Sequence, residues 1–122
     1  NQLGRVQAVG GVNEKIEGYF EICRQRGLDG SHGVVMPYDN VKHLMLRDEI
    51  VAAVKAKQFT IYAVRHLDEA LAILTGEEPG QRDAQGQFPQ DTVNRKVEER
   101  LIRYATKRRE FAESAGNHEK AE

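Results

Sequence analysis

The sequence is short of several residue types, and each shortage excludes a class of protein. A single cysteine, Cys23, cannot form an internal disulfide and suits a reducing compartment. The 18 lysines and arginines nearly balance the 19 aspartates and glutamates, which argues against a dedicated nucleic-acid binder, because such proteins are strongly basic. No apolar run approaches the roughly 20 residues that span a bilayer, and no secretory leader is visible. We therefore expect a cytoplasmic protein with no membrane partner.

The remaining composition is that of a folded globular protein. Hydrophobic residues make up 39% of the 122 residues and charged residues 30%. This length fits one compact domain with an appendage, and two full cores are unexpected. Because the chain begins with Asn1 and not with methionine, we expect it to be a piece of a longer protein.

Residues 3–76 alternate strand and helix signals. Residues 3–9 and 59–64 and the stretch 33–36 have the patterns of short strands. The first helix is predicted to begin with Asn13 as its N-cap, and a short helical turn is predicted from a cap at Asp39 or Asn40 through Leu46. Two further helices are predicted to begin at Asp48 and at Leu67. The helix from Asp48 is expected to turn Ile50, Val51 and Val54 inward. The order predicts an α/β fold, with a small, partly parallel sheet and flanking helices.

The last third of the chain has a different pattern. Residues 77–90 are polar and contain glycines and two prolines, which predicts a linker. From Asp91 onward, apolar residues recur at steps of three and four among many charges, which predicts one long amphipathic helix of about 36 Å. We therefore divide the chain into 1–76, a linker 77–90, a helical extension 91–116 and a flexible tail 117–122. Oligomer contact is our hypothesis for the extension.

Lys15 is the candidate catalytic residue. With Asn13 as N-cap, it would be the second residue of its helix, where the helix dipole disfavours a positive charge. Its neighbours on the same face include no carboxylate, and small residues surround it: Gly10 and Gly11 would let the backbone pass close by, and Gly18 would leave room above the amine. A lysine held neutral can serve as general base toward a serine hydroxyl. The alternative is a lysine that reaches from the first turn into solvent.

The residues around Lys15 resemble a known family. Gly10-Gly11-Val12-Asn13-Glu14-Lys15-Ile16-Glu17-Gly18, followed by Gly33-Val34-Val35-Met36-Pro37, is similar to the segment of the Lon proteases that carries the catalytic lysine. The similarity continues through Asn40-Val41-Lys42, Phe59-Thr60-Ile61-Tyr62-Ala63-Val64 and Ile73-Leu74-Thr75-Gly76. It covers about residues 3–76 and is greatest to the LonB-like branch.

This resemblance implies an ATP-dependent serine endopeptidase with a Ser–Lys dyad, in which Lys15 is the base. The family's nucleophilic serine would lie upstream, because neither Ser31 nor Ser114 corresponds to it. ATP and Mg²⁺ would bind to a fused ATPase, since this sequence has no Gly-Lys-Ser/Thr phosphate loop; we expect no cofactor and no metal on this part. The resemblance further implies unfolded or damaged proteins as substrates and a hexameric assembly that encloses a chamber. Regulation of the chamber exit is the alternative to oligomer contact as the role of the helical extension 91–116. This piece alone should be inactive.

Other chemistry has weaker support in the sequence. The four histidines are scattered and Cys23 lies on an apolar helix face, so neither a metal site nor a cysteine nucleophile is predicted. Arg103, Lys107, Arg108 and Arg109 suggest nucleic-acid binding, but seven cations and five acids interleave over residues 91–116 and leave a net charge of only +2. The main alternative is a non-catalytic module on the same fold that binds protein or nucleic acid.

Overall fold

A computed structural model describes the backbone of residues 1–118 and the side chains of residues 1–113. The chain forms two compact units, and the second begins at Leu71. The helices are α1 (Val12–Arg26), α2 (Asp48–Lys55), α3 (Leu67–Thr75) and α4 (Val93–His118), the strands are β1 (Gly33–Pro37) and β2 (Thr60–Val64), and a 3₁₀ helix spans Tyr38–His43. Within the described residues, no helix has the length and apolar character needed to cross a membrane.

The two strands pair in parallel, which confirms the predicted α/β fold with a small, partly parallel sheet and a long C-terminal helix. The register runs from Gly33 opposite Thr60 to Pro37 opposite Val64. A Cβ atom on Gly33 would lie 2.7 Å from the Thr60 carbonyl oxygen, so glycine allows the strands to approach here. The 3₁₀ helix and α2 form the crossover that a parallel pair requires.

The core of the first unit lies between α1, α2 and the strands. Its buried hydrophobic residues are Val12, Ile16, Phe20, Cys23, Met36, Ile50, Ala53 and Phe59. The rings of Phe20 and Phe59 meet edge to face, with centroids 5.3 Å apart. In α2, Val51 is exposed and Ala53 is buried, so the predicted inward position of Val51 is wrong. The reason is helical spacing: Ala53 and Val54 share the face of Ile50, whereas Val51 does not.

The predicted strand over residues 3–9 is also wrong. The segment forms only an isolated antiparallel bridge between Arg5 and His66, with the Val6 amide donating to the Arg65 carbonyl at 2.9 Å. Gly4 adopts a left-handed φ of 74° and packs against the His66 ring, so the chain bends before a ladder can extend.

Helix α1 begins two residues earlier than predicted, after a glycine. Gly11 occupies the N-cap position with φ 66°, and no side chain caps the helix. The Asn13 side chain instead accepts from the Met45 amide at 3.0 Å and donates to the His43 carbonyl at 3.1 Å. Asn13 is therefore not the N-cap, because a tertiary contact occupies its side chain. Lys15 is consequently the fourth residue of α1 and not the second.

In the second unit, residues 76–92 form no helix or strand, but they contact the beginning of α4. The carbonyls of Glu78 and Pro79 accept the Val93 and Asn94 amides at 3.0 and 2.9 Å. These bonds satisfy N–H groups that a helix leaves unpaired in its first turn. The division at residues 76, 90 and 116 stays a prediction, and residues 119–122 of the predicted tail lie outside the described residues.

Candidate functional site

Lys15 borders a small apolar depression. The depression has a volume of about 160 Å³, and its other lining residues are Val9, Val12, Ile16, Val34, Val35, Met36 and Pro37. The Lys15 side chain is exposed, and its Nζ donates a hydrogen bond of 3.1 Å to the Gly10 carbonyl. Among the described residues that line the depression, Lys15 is the charged one and the others are apolar. This arrangement suits a base that acts on a substrate bound in the depression.

The glycines around Lys15 act through backbone conformation and not through close packing. Gly11 adopts the left-handed conformation with which the chain enters α1, and the Lys15 amide donates to its carbonyl at 3.2 Å. A Cβ atom on Gly10 or Gly18 would meet no heavy atom within 4 Å. Within the part of the chain that the structure describes, no segment makes the expected close passage at Gly10. Space above Gly18 is open, as expected.

Asn40 is a positioning residue that the sequence did not reveal. It is 3% exposed, and its amide group pairs with the backbone of Val9: Oδ1 accepts the Val9 amide and Nδ2 donates to the Val9 carbonyl, each at 2.9 Å. Val9 lines the depression and directly precedes Gly10. Asn40 thereby fixes the segment whose carbonyl receives the Lys15 amine.

The sequence assigned Asn40 or Asp39 a capping role that neither has. The 3₁₀ helix begins after Pro37, no side chain caps it, and it ends at His43 and not at Leu46. The partner of Asn40 lies 31 residues earlier in the chain. The only signal in the sequence is the position of Asn40 within the segment that resembles the Lon proteases.

The environment of the Lys15 amine differs from the one expected. At the fourth helical position, the amine lies at the end of the first turn, where the dipole effect has begun to fall off. The Nζ donates to the Gly10 carbonyl, and the Lys15 side chain is exposed. In this chain Lys15 therefore borders the apolar depression without being buried in it.

Ser31 does not supply a hydroxyl to the depression. The Ser31 hydroxyl donates to Asp29 Oδ1 at 2.6 Å, and the Ser31 amide donates to the same oxygen at 2.9 Å. The hydroxyl bond is the main reason that the pKa of Asp29 lies below its usual value. Ser31 does not line the depression, and the Ser114 side chain lies outside the described residues.

Cys23 and the histidines form no second reactive centre in the described part of the chain. Cys23 is buried in the core, and its hydrogen bond with Tyr19 raises the pKa of the Tyr19 hydroxyl. Among the described residues, no group of three or more His, Cys, Asp or Glu side chains is placed to hold a metal ion.

Comparison with known proteins gives two relatives, both named as homologs of Lon protease. The relative from Escherichia coli is 54% identical over 74 residues, which is 61% of this chain and 13% of that protein. The relative from Haemophilus influenzae is 45% identical over 78 residues, which is 64% of this chain and 13% of that protein. The aligned part of the chain thus spans about 13% of the length of these relatives. No family model matches the chain.

Proposed function

We propose, from the similarity of this chain to two homologs of Lon protease, that Lys15 is the general base of a Ser–Lys dyad in a serine peptidase. One observation carries the proposal: the Lys15 amine stands at the edge of an apolar depression, hydrogen-bonded to the Gly10 carbonyl. A peptide side chain bound in the depression would place its backbone near this amine.

The geometry suits proton transfer in both directions. A neutral Lys15 that donates one N–H to the Gly10 carbonyl keeps its lone pair for a serine O–H. When the serine oxygen attacks a peptide carbonyl, its proton passes to Nζ, and the resulting ammonium gives that proton to the departing amine nitrogen. Water then hydrolyses the acyl-serine by the same route. The Gly10 carbonyl stabilises the ammonium between the two transfers.

Burial of the open side of Lys15 is the condition for this chemistry. A docked substrate, together with the segment that brings the serine, would displace water from the amine and so disfavour its charged form. Among the described residues, the lining of the depression contains no serine or threonine, and the proposal therefore places the nucleophile in another part of the protein. The length of the relatives leaves ample chain for it.

The activity of the whole protein is a wider proposal. In it, an ATPase elsewhere in the protein supplies ATP and Mg²⁺ binding, because this chain has no phosphate loop to fit a nucleotide. The substrates are unfolded or damaged proteins, the assembly is a homohexamer, and the location is the cytoplasm. In this proposal, the nucleotide takes no part in the proton transfers at Lys15.

The test is casein degradation by the full-length protein, with and without ATP, beside its Lys15→Ala variant. Loss of a general base costs about 10²- to 10⁴-fold in rate. We expect ATP-stimulated cleavage that falls to background in Lys15→Ala while the circular dichroism spectrum is unchanged. Equal cleavage by both proteins would detach Lys15 from the chemistry.

Two control variants make the result specific. Lys55, at the end of α2, is another exposed helical lysine, and Lys55→Ala should cleave casein at the wild-type rate. Ser31→Ala should also be active, since the Ser31 hydroxyl is bonded to Asp29 and lies outside the depression lining. Loss of cleavage in Ser31→Ala would identify a nucleophile within this chain and contradict the proposal.

The second candidate, an interaction module without catalysis, is favoured by the exposed face of α4. Val97, Leu101, Tyr104 and Phe111 are all more than half exposed. If the protein is such a module, neither the wild type nor Lys15→Ala would degrade casein, with or without ATP.

A further inference from the structure

Helix α4 changes character near residue 100. In its first two turns, both cations are paired with acids: Arg95 Nε lies 2.8 Å from Glu99, and Lys96 Nζ lies 2.6 Å from Glu77. Arg82, from the segment before the helix, pairs with Glu98 at 3.0 Å. In this part of α4, the cations are therefore neutralised by neighbouring carboxylates.

The next ten residues, 100–109, form what we call the basic segment. It contains Arg100, Arg103, Lys107, Arg108 and Arg109 and no acidic residue. All of its side chains are exposed, and none of its cations forms an ion pair with a described acidic side chain. The segment therefore carries a local charge of +5 on a chain whose net charge is −1.

Helical spacing sorts the side chains of α4 into separate faces. Arg100, Arg103 and Lys107 follow steps of three and four and so form one ridge. Leu101, Tyr104 and Phe111 form the neighbouring apolar ridge, which Val97 extends toward the N-terminus. The acids Glu99, Glu110 and Glu113 lie roughly opposite the apolar ridge, and Glu99 and Glu110 border the ridge of cations.

The apolar ridge is largely exposed to solvent. Leu101 is 61% exposed and Tyr104 is 57% exposed, and Val97, which is 51% exposed, extends the exposed ridge to about 10 Å along the helix axis. The Arg100 guanidinium lies 5.9 Å from the Tyr104 ring centroid, so cations and aromatic side chains share one surface. A partner that covers this surface must supply both negative charge and an apolar phase.

We propose that the basic segment and its apolar ridge form a site that binds an anionic lipid surface, with α4 parallel to the membrane plane. Apolar side chains would enter the boundary between headgroups and acyl chains, while the arginines and Lys107 reach the lipid phosphates. The acids on the opposite side would face water. This proposal is independent of the peptidase chemistry at Lys15.

The apolar ridge favours lipid over nucleic acid. A phosphate backbone would pair with the cations and its bases could stack on Tyr104 and Phe111, but Val97 and Leu101 would gain little cover. At a lipid surface both ridges are satisfied together. No helix among the described residues could span a membrane, but this finding does not bear on the proposal. A helix that lies in the membrane interface needs only one apolar face, whereas a spanning helix must be apolar on all sides over its whole length.

The test is flotation of the full-length protein with vesicles of phosphatidylcholine and phosphatidylglycerol in equal parts, compared with phosphatidylcholine alone. We expect binding to the anionic vesicles at about 0.1 M salt and its loss at about 1 M, where charges are screened within a few ångströms. Each cation removed should weaken binding about fivefold, so Arg103→Ala with Lys107→Ala should weaken it roughly 30-fold.

Matched variants locate the site. Leu101→Ser with Phe111→Ser should also lose vesicle binding, whereas Met45→Ser and Lys55→Ala, exposed residues elsewhere, should bind as the wild type does. Circular dichroism shows whether α4 stays helical in each variant. Arg103→Lys keeps the positive charge and should therefore bind the anionic vesicles about as well as the wild type does.

Three results would overturn the proposal. The first is equal binding to both vesicles or to neither. The second is vesicle binding that survives both double substitutions. The third is a protein that binds no vesicles but does one of two other things. Binding of a single-stranded oligonucleotide would assign the surface to nucleic acid. Self-association in sedimentation that the double substitutions abolish would assign the surface to a second copy of the chain.

Discussion

Helices α1 and α4 both carry an apolar stripe at helical spacing, yet α1 buries its stripe and α4 leaves it in water. In α1, Val12, Ile16, Phe20 and Cys23 are all at most 8% exposed. In α4, Val97, Leu101, Tyr104 and Phe111 are all at least 51% exposed. The spacing of apolar residues thus predicts which face of a helix is apolar. Whether that face is buried depends on the other helices and strands that pack against it.

The difference also separates the two surfaces for which we propose functions. Around α1, a packed core supports Lys15 on a fixed backbone, which chemistry requires. Along α4, exposed charge and apolar area suit binding to a large surface. The predictions below test this contrast, beginning with the largest expected effect.

The contrast predicts opposite results for two phenylalanines. Phe20→Ala should lower the free energy of unfolding of the first unit by about 3–5 kcal/mol, because it leaves a cavity beside Phe59. Phe111→Ala should change stability by no more than about 0.5 kcal/mol, since that ring is exposed. Urea denaturation of the chain measures both. A large loss in Phe111→Ala would show that α4 is packed and break the comparison.

A smaller effect is expected at Asn40. Asn40→Ala removes both hydrogen bonds to the Val9 backbone, and at about 0.5–1.5 kcal/mol for each bond the loss should cost about 1–3 kcal/mol. Amide hydrogen exchange should accelerate at Val9, and casein cleavage by the full-length protein should fall because the Gly10 carbonyl is no longer held in place. Asn13→Ala, which also removes two tertiary bonds, is the control and should leave exchange at Val9 unchanged. Unchanged exchange in Asn40→Ala would refute its positioning role.

The smallest effect concerns Asp29 and Ser31. The Ser31 hydroxyl bond lowers the pKa of Asp29 from its ordinary 3.8, so Ser31→Ala should raise that pKa toward the ordinary value. A carboxyl whose pKa is lowered on folding stabilises the fold above its unfolded pKa, and this stabilisation disappears as the pH falls through the folded pKa. The contribution is therefore lost only in acid below about pH 4. A carboxyl-detected NMR titration of both proteins measures the shift, and an unmoved Asp29 pKa would contradict the assignment.

Much of the fold could be predicted from the sequence, because its signals are local. β1, β2, α3 and α4 begin within two residues of their predicted positions, since β-branched runs, helical spacing and glycine stops act over a few residues. The predicted strand over residues 3–9 failed because pairing depends on a partner, and here only Arg5 finds one. Asn13 failed as a cap because its side chain contacts residues 43 and 45.

The candidate site was predictable only in part. Lys15 emerged from its setting among glycines and from the resemblance to the Lon proteases. The depression and the pairing of Asn40 with Val9 were not visible, since both depend on contacts between residues far apart in the sequence. The charge change along α4 was present in the sequence, but counting the whole helix together reduced it to a net charge of +2.

The most direct test of the central claim is labelling of the full-length protein with a peptidyl phosphonate that reacts with activated serines, followed by mass spectrometry. If Lys15 is the base, one serine outside these 122 residues is labelled, and Lys15→Ala slows labelling by about 10²-fold or more while Lys55→Ala does not. Labelling of Ser31, or labelling at the wild-type rate in Lys15→Ala, would contradict the account.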